Sequence, residues 1–254
     1  MIIKRFLLLL LVAFSVQQAT AQSEAKVKNP LQDYQYKKEY SLGVRLQSNG
    51  FSVYTQYGWI KDLKRSRHIQ LEYNYFVNYA QKRQKPYITS NGREFLYGFN
   101  GHFHAVRASF GLQRAIFDKA NRNGVRLSFS GFMGFSLGLL KPYYLDLLQP
   151  TNDGQIVIKP ERYSEENAQR FLSLDSIAGA SPTRYGLNQM QVIPGVHGKV
   201  SLDFDWGTRD AFVKALELGV MLDLYYKNVP IMVNKSNRFY QLGLYLAFHI
   251  GKRW

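Results

Sequence analysis

The sequence predicts an all-β fold, an antiparallel up-and-down transmembrane β-barrel of eight strands, on three observations. The last stretch, Phe239 to Ile250, sets Tyr240, Leu242, Leu244, Leu246, Phe248 and Ile250 on one side and Gln241, Gly243, Tyr245, Ala247 and His249 on the other. Side chains of a strand alternate faces, so one face is continuously apolar and the other polar, small or aromatic. At roughly 3.3 Å per residue and a tilt of roughly 40°, such a stretch covers the ~25 Å apolar band of an outer membrane. Second, Lys4 and Arg5 precede an apolar run from Phe6 to Phe14, and Ala19-Thr20-Ala21 places small residues at cleavage spacing. This is the pattern of a signal peptide over 1–21, cleaved before Gln22. The run breaks at Ser15, Gln17 and Gln18, short of the ~20 apolar residues that a spanning helix needs. Third, no run of about 18 apolar residues follows residue 21, which excludes a helical membrane protein and leaves a barrel as the spanning option. A soluble tyrosine-rich β-protein shares the alternation. The strand length, the export signal and Trp254 closing the last strand favour the barrel.

Composition agrees. The chain has no cysteine, hence neither a lipoprotein attachment site nor a disulfide framework. Its 18 Tyr and 17 Phe suit aromatic girdles at two membrane interfaces. A formal net charge of +15 points to anionic partners, and beside a membrane these are outer-membrane lipid or lipopolysaccharide phosphates. An exported chain rarely meets nucleic acid, the usual alternative.

In order, residues 22–37 lack periodicity and read as a flexible periplasmic lead, and 38–254 read as the barrel. The first strand carries Tyr40, Leu42, Val44 and Leu46 outward. Ser48-Asn49-Gly50 turns the chain, because Asn-Gly accepts the positive φ of a tight hairpin. The second carries Phe51, Val53, Thr55, Tyr57 and Trp59. Lys61 to Arg67 is a basic, solvated turn, and the third strand presents Ile69, Leu71, Tyr73, Tyr75 and Val77. After a basic loop over Ala80 to Glu94, alternation changes phase between Phe95, Tyr97, Phe99 and Val106, Ala108, Phe110. Either a bulge near Asn100-Gly101 flips one long strand, or a turn there makes two. One bulged strand keeps the total at eight, the even number that single-chain bacterial barrels have, whereas two strands give ten if Gln155 to Lys159 supplies another.

The fifth strand sets Val125, Leu127, Phe129, Met133, Phe135, Leu137 and Leu139 against lipid, with small inward residues such as Ser128, Ser130, Gly134 and Ser136 suiting a narrow interior. Regular alternation then stops over 141–189, a loop of the length that usually carries function. Ser164 before Glu165 and Glu166 predicts a helix from Glu165 to Leu172. The sixth strand runs through Val192 to Phe204 with a kink at Pro194-Gly195, the seventh through Leu216 to Tyr226. Asn228 to Asn237 connects it to the eighth.

The inward positions hold Arg45, Arg107, Arg126 and Lys199 against Glu72, Asp203, Glu217 and Asp223. Enclosed together, these should pair as a lumen charge network, since unpaired buried charge is costly. His102 and His104 share a strand face at a spacing metal ligands can use, but no further ligands lie near, and no metal site or cofactor is expected. A lipid hydrolase would need Ser or Asp beside His, and His104 with Ser109 is the one loose pairing. No Gly-x-Ser-x-Gly elbow occurs, so no catalytic residue is assigned.

The segment Ser136-Leu137-Gly138-Leu139-Leu140-Lys141-Pro142-Tyr143-Tyr144, the later Pro194-Gly195, the signal peptide and the alternating strands resemble outer-membrane β-barrel proteins of Bacteroidetes type, similar to PorT-like barrels. The resemblance implies an accessory role in export to the cell surface. The function expected is therefore that of a non-enzymatic barrel in the cell outer membrane with a filled interior, structural or interaction-forming, meeting another envelope protein through loop 141–189. A lipid-modifying enzyme or a small-solute channel is the alternative.

Overall fold

The computed structural model describes residues 36–62, 64–77, 82–87, 92–119, 124–151, 155–207, 211–233 and 237–254. The signal peptide, the lead up to residue 35, Asn91 of the basic loop, most of the Lys119–Gly124 turn and the turn residues Thr208 to Asp210 lie outside the described residues. The strands are β1 (Lys38–Gln47), β2 (Gly50–Asp62), β3 (Arg65–Phe76), β4 (Arg83–Gln84), β5 (Phe95–Leu96), β6 (Gly101–Phe117) and β7 (Arg126–Pro142). They continue as β8 (Tyr144–Pro150), β9 (Ile156–Arg162), β10 (Ile177–Ala180), β11 (Gln191–Asp205), β12 (Phe212–Val229) and β13 (Arg238–Arg253), with a short helix, α1 (Ala168–Phe171), between β9 and β10.

Eight of these close into a barrel in the order β1-β13-β12-β11-β7-β6-β3-β2, so barrel strands consecutive along the chain are neighbours and the first pairs with the last. The pairing of β1 with β13 is antiparallel and unbroken from Glu39↔Arg253 to Gln47↔Tyr245. Trp254 finishes the seam: its carbonyl accepts the amides of Lys37 and Lys38, each at 2.9 Å, and its own amide donates to Lys38.

The alternation read from the sequence maps onto two faces, and their chemistry is inverted relative to a soluble protein. Leu244, Met133 and Phe135 point outward and are 64%, 76% and 74% exposed, whereas Arg45 and Arg107 point inward and are 0% exposed. Water would penalise that exterior, and lipid rewards it; the closed ladder leaves no strand edge for lipid to meet. The chain is a membrane-spanning barrel.

Eight strands leave an interior just wide enough for side chains to fill, and glycine-aromatic pairs supply the fit. Gly43 faces Tyr54 across β1–β2, Gly58 faces His68 across β2–β3, Gly111 faces Phe132 across β6–β7, and Gly219 faces Tyr245 across β12–β13. At each glycine an added Cβ would overlap the facing ring. A ring therefore lies over its partner's backbone, and the lumen is packed without widening the wall.

The two ends differ. Connections at the end that carries the termini are short. At the other, the loop end, run 77–100, 143–190 and 230–237. There β10-β8-β9 form a three-stranded sheet and β4-β5 a two-stranded one. Phe95, Leu145, Leu147, Phe171 and Ile177 form an apolar core between them, with Tyr97, Tyr143, Tyr163 and Val233 packed on it. Val233 donates to Gly98 and Phe99 bridges Met232, which ties in the last loop. The loop end thus has a folded cap with its own core.

Several expectations change. The segment Phe95 to Arg114 contributes one barrel strand, but β6 starts at Gly101 with no bulge there. Phe95, Tyr97 and Phe99 alternate because they serve the cap, and Gly98, at φ +65°, turns the chain between the two uses. The irregularity in β6 sits at its far end, between Ala115 and Phe117. The loop after β7 contains three strands, and Ile156–Arg162 pairs with β8, not with the barrel. The helix begins at Ala168, three residues later than Glu165: Ser164 and Asn167 exchange side-chain bonds with each other's amides, which holds the first acidic residues in a turn. Strands β2 and β3 extend into the basic Lys61–Arg67 segment as far as Asp62 and Arg65. At Ser48-Asn49-Gly50 only Gly50 has positive φ, and an added Cβ there would overlap the carbonyl of Tyr75. Pro194 causes no register shift; pairing of β11 with β12 ends at Gly195, so the missing N–H falls where no bond is due.

Leu244→Arg places a cation on the lipid face midway along β13 and should cost about 2–4 kcal/mol in reversible folding into lipid vesicles. Folding equal to the parent protein would mean that the faces are misassigned.

Candidate functional site

Three layers fill the barrel. Nearest the cap, Phe76, Phe103, Ala105, Leu140, Ile193, Tyr225 and Val229 form an apolar layer, with Ile231 packed on it. Phe103 and Ile193 are fully buried, so the lumen is closed to solvent at this level.

Charges occupy the middle. Arg107, from β6, donates Nε to Asp223 Oδ1 at 2.9 Å and Nη2 to Asp223 Oδ2 at 2.7 Å, a two-pronged grip across to β12. Its Nη1 donates to Glu72 Oε1 at 2.6 Å. The other oxygen of Glu72 accepts from Arg45 Nη1, so one carboxylate of β3 bridges two guanidiniums. Arg45 also lies 3.5 Å from Glu217 Oε2, and its guanidinium sits between the rings of Tyr54 and Tyr245, 4.6 and 4.5 Å from their centroids. Glu217 gathers the rest: Lys199 Nζ at 3.1 Å, Ser201 at 2.8 Å and the Tyr245 hydroxyl at 2.6 Å all donate to Oε1. Lys199 completes its surroundings over the face of Phe132, 4.2 Å from the centroid. Asp203 has His249 Nε2 at 3.6 Å, and His249 Nδ1 bonds the Tyr54 hydroxyl at 3.2 Å.

The third layer lies toward the termini. Gln56 and His68 bond at 2.8 Å, and Gln70 donates to Gln56 at 3.1 Å. Arg253 bridges Glu39 at 2.7 Å and Asp205 at 3.0 Å, and Lys119 reaches Asp205 at 3.5 Å.

Of the eight charged residues singled out from the sequence, six meet in the middle layer: Arg45, Glu72, Arg107, Lys199, Glu217 and Asp223. Asp203 lies beside them with His249 as partner. Arg126 stands apart near the termini, paired with Asp118 at 2.8 Å. Asp118 lies beyond the strands; partial burial opposes its ionisation, but the bonds from Arg126 and the Lys119 amide outweigh that and hold its carboxyl below the usual value. Sequence reasoning missed Tyr54, Phe132, Tyr245 and His249 as members, and also His197, whose Nδ1 lies 3.3 Å from Asp223 Oδ1. Their inward register was the available signal.

His102 and His104 do share a face, the outer one, where Tyr73 bonds His104 Nδ1 at 2.7 Å and Tyr75 bonds His102 Nδ1 at 2.8 Å. Ser109 points into the barrel while His104 points out, which removes them as a nucleophile and base. Among the described residues no cluster of three or more His, Asp or Glu is arranged to hold a metal.

Among solved structures the chain is similar to Ail, the attachment invasion locus protein of Yersinia pestis (9% identity, 86% of this chain and 99% of that chain, TM-score 0.43). It is also similar to Neisserial surface protein A (8%, 86% and 97%, TM-score 0.40). A third is the N-terminal β-barrel domain of Pseudomonas aeruginosa OprF (7%, 86% and 98%, TM-score 0.36). No family model and no curated protein matches the sequence. Likeness at this level leaves the functional reading to the geometry of the chain itself.

Arg107→Met leaves Asp223 buried without its two-pronged partner and should cost about 3–5 kcal/mol in urea unfolding from vesicles. Adding Asp223→Leu should recover most of the loss. A double variant no more stable than the single one would show that the two are not coupled.

Proposed function

We propose that the chain is a non-enzymatic outer-membrane barrel whose wall and filled lumen form a rigid mount for a folded cap at the cell surface. The observation that carries this is the closure of the lumen: the apolar layer and the charge network, with Arg45 and Arg107 at 0% exposure, occupy the space through which a solute would pass. A narrow barrel filled in this way has a structural or interaction role, with Arg45, Glu72, Arg107, Lys199, Asp203, Glu217 and Asp223 as its internal brace and Arg126 outside it. Outer-membrane placement follows from the exposed apolar exterior, since only a closed ladder satisfies every backbone group in lipid. The export signal read at 1–21 supports the same address.

Long connections gather at the loop end, and outer-membrane barrels keep long loops outside and short turns in the periplasm. The cap is then the working surface. Its β9 is an edge strand with Ile156 69%, Val157 39% and Ile158 52% exposed, which suits contact with another envelope protein through loop 141–189. The basic composition supports contact with lipopolysaccharide phosphates. The resemblance to PorT-like barrels adds an accessory part in export to the surface.

Purified protein in planar bilayers should give no large, stable conductance steps; steady conductance would favour the channel alternative. An epitope inserted after Thr151 should be labelled on intact cells. Labelling only after permeabilisation would place the cap in the periplasm.

A further inference from the structure

At the rim where β6 and β7 leave the barrel, a pocket of about 200 Å³ opens on the outside of the wall, beneath the segment 180–185 of the cap. Its depth is marked by the strands below. Outward along β7, Phe135 and Leu137 are exposed apolar side chains, Leu139 is half-covered, and Lys141 follows. The row thus changes from lipid-facing to charged within one residue pair, which is the level of the headgroups.

Lys141 is the unusual group. It is 8% exposed, and its ammonium donates to one protein acceptor, the carbonyl of Thr183. No carboxylate among the described residues pairs with it. A buried ammonium with donors to spare and no counter-charge is costly unless an anion completes it. Its direct cross-strand neighbour is His102, which lines the same pocket. The His102 ring is fixed by Tyr75 at Nδ1 and by edge contacts with Phe99 and Tyr143, at 4.9 and 5.9 Å between centroids, while Nε2 has no partner among the described residues. Arg93 adds a second cation to the lining, and Glu94 is its one carboxylate.

We propose that this pocket binds the phosphate of a lipid in the leaflet at the loop end, with Lys141 and His102 Nε2 as its ligands. The inference rests on the membrane-barrel reading above and names a partner for its rim. Small-molecule pockets for drug-sized ligands run about 300–1,000 Å³, so this smaller one fits a headgroup better than a whole solute. A phosphate offers oxygens to both donors at once, and charge-assisted bonds to it are the stronger kind. Its acyl chains would lie down the apolar row of β6 and β7.

The full chain in nonionic detergent, labelled with 15N at its histidine rings, tests this. It has five histidines; His68, His197 and His249 sit in the lumen and report on the barrel, and His102→Gln identifies the His102 signal. Short-chain phosphatidic acid should move the His102 signal while leaving the three lumen signals in place. Diacylglycerol with the same chains should leave His102 unmoved. Lys141→Met should weaken the phosphatidic acid response by about tenfold or more, the scale of one hydrogen bond to a charged group. A His102 signal that ignores phosphatidic acid, or answers diacylglycerol equally, overturns the site. A Lys141→Met protein that responds like the parent overturns the role of Lys141. Inorganic phosphate producing the full response at the same concentration would assign the pocket to a free anion and overturn the lipid source. Lumen signals that are lost or shifted throughout would instead indict the barrel reading.

Discussion

The structure depends on the placement of one guanidinium. Arg45 is held between two tyrosine rings and two carboxylates in the centre of a barrel too narrow for water to solvate it. A charge taken out of water is stable only where opposite charge and ring faces replace its hydration, so each neighbour is constrained in turn. Glu72 must span Arg45 and Arg107, Glu217 must reach Lys199 as well, and Tyr245 must offer both its ring to Arg45 and its hydroxyl to Glu217. At the level of the charges, rings of this size are accommodated where an opposing residue has no side chain. That is why Gly43 faces Tyr54 and Gly219 faces Tyr245.

The apolar layer at Phe76, Phe103 and Ile193 separates this centre from the cap. It keeps water off the charges from above and gives the cap a hydrophobic floor, to which Ile231 is anchored. Because cap and charge network do not share residues, the loops can vary in sequence without disturbing the brace. In an outer-membrane barrel that is a useful division: the membrane fixes the wall and the wall fixes the lumen, while the loop end is held by neither.

Much of the fold was legible because a strand's period of two is local. Leu244 outward and Glu72 inward follow from their immediate neighbours. The closing strand was legible for the same reason. Which charges meet was not, because partners are chosen by the registers of several strands at once: Tyr54 and Glu217 stand 163 positions apart in the chain. Arg126 has the right parity but the wrong height, and height is a matter of register. Phe95, Tyr97 and Phe99 misled for a different reason. Their alternation is real, yet it packs a cap core, and period alone does not say which core a strand serves. The glycine-aromatic pairs were hidden likewise, since Gly111 and Phe132 become neighbours only across a hairpin.

The seam between β1 and β13 has a consequence for assembly. Residues of the final strand supply Tyr245 and His249 to the centre, and the bond from Tyr54 to His249 spans 195 positions. Until that strand arrives, the sheet has two open edges and Arg45 lacks one wall of its cage. An incomplete cylinder would have to admit water or lipid against bare charge. Closure of the wall and completion of the central cage are thus one and the same contact, since the residues that finish the cage ride on the strand that finishes the cylinder.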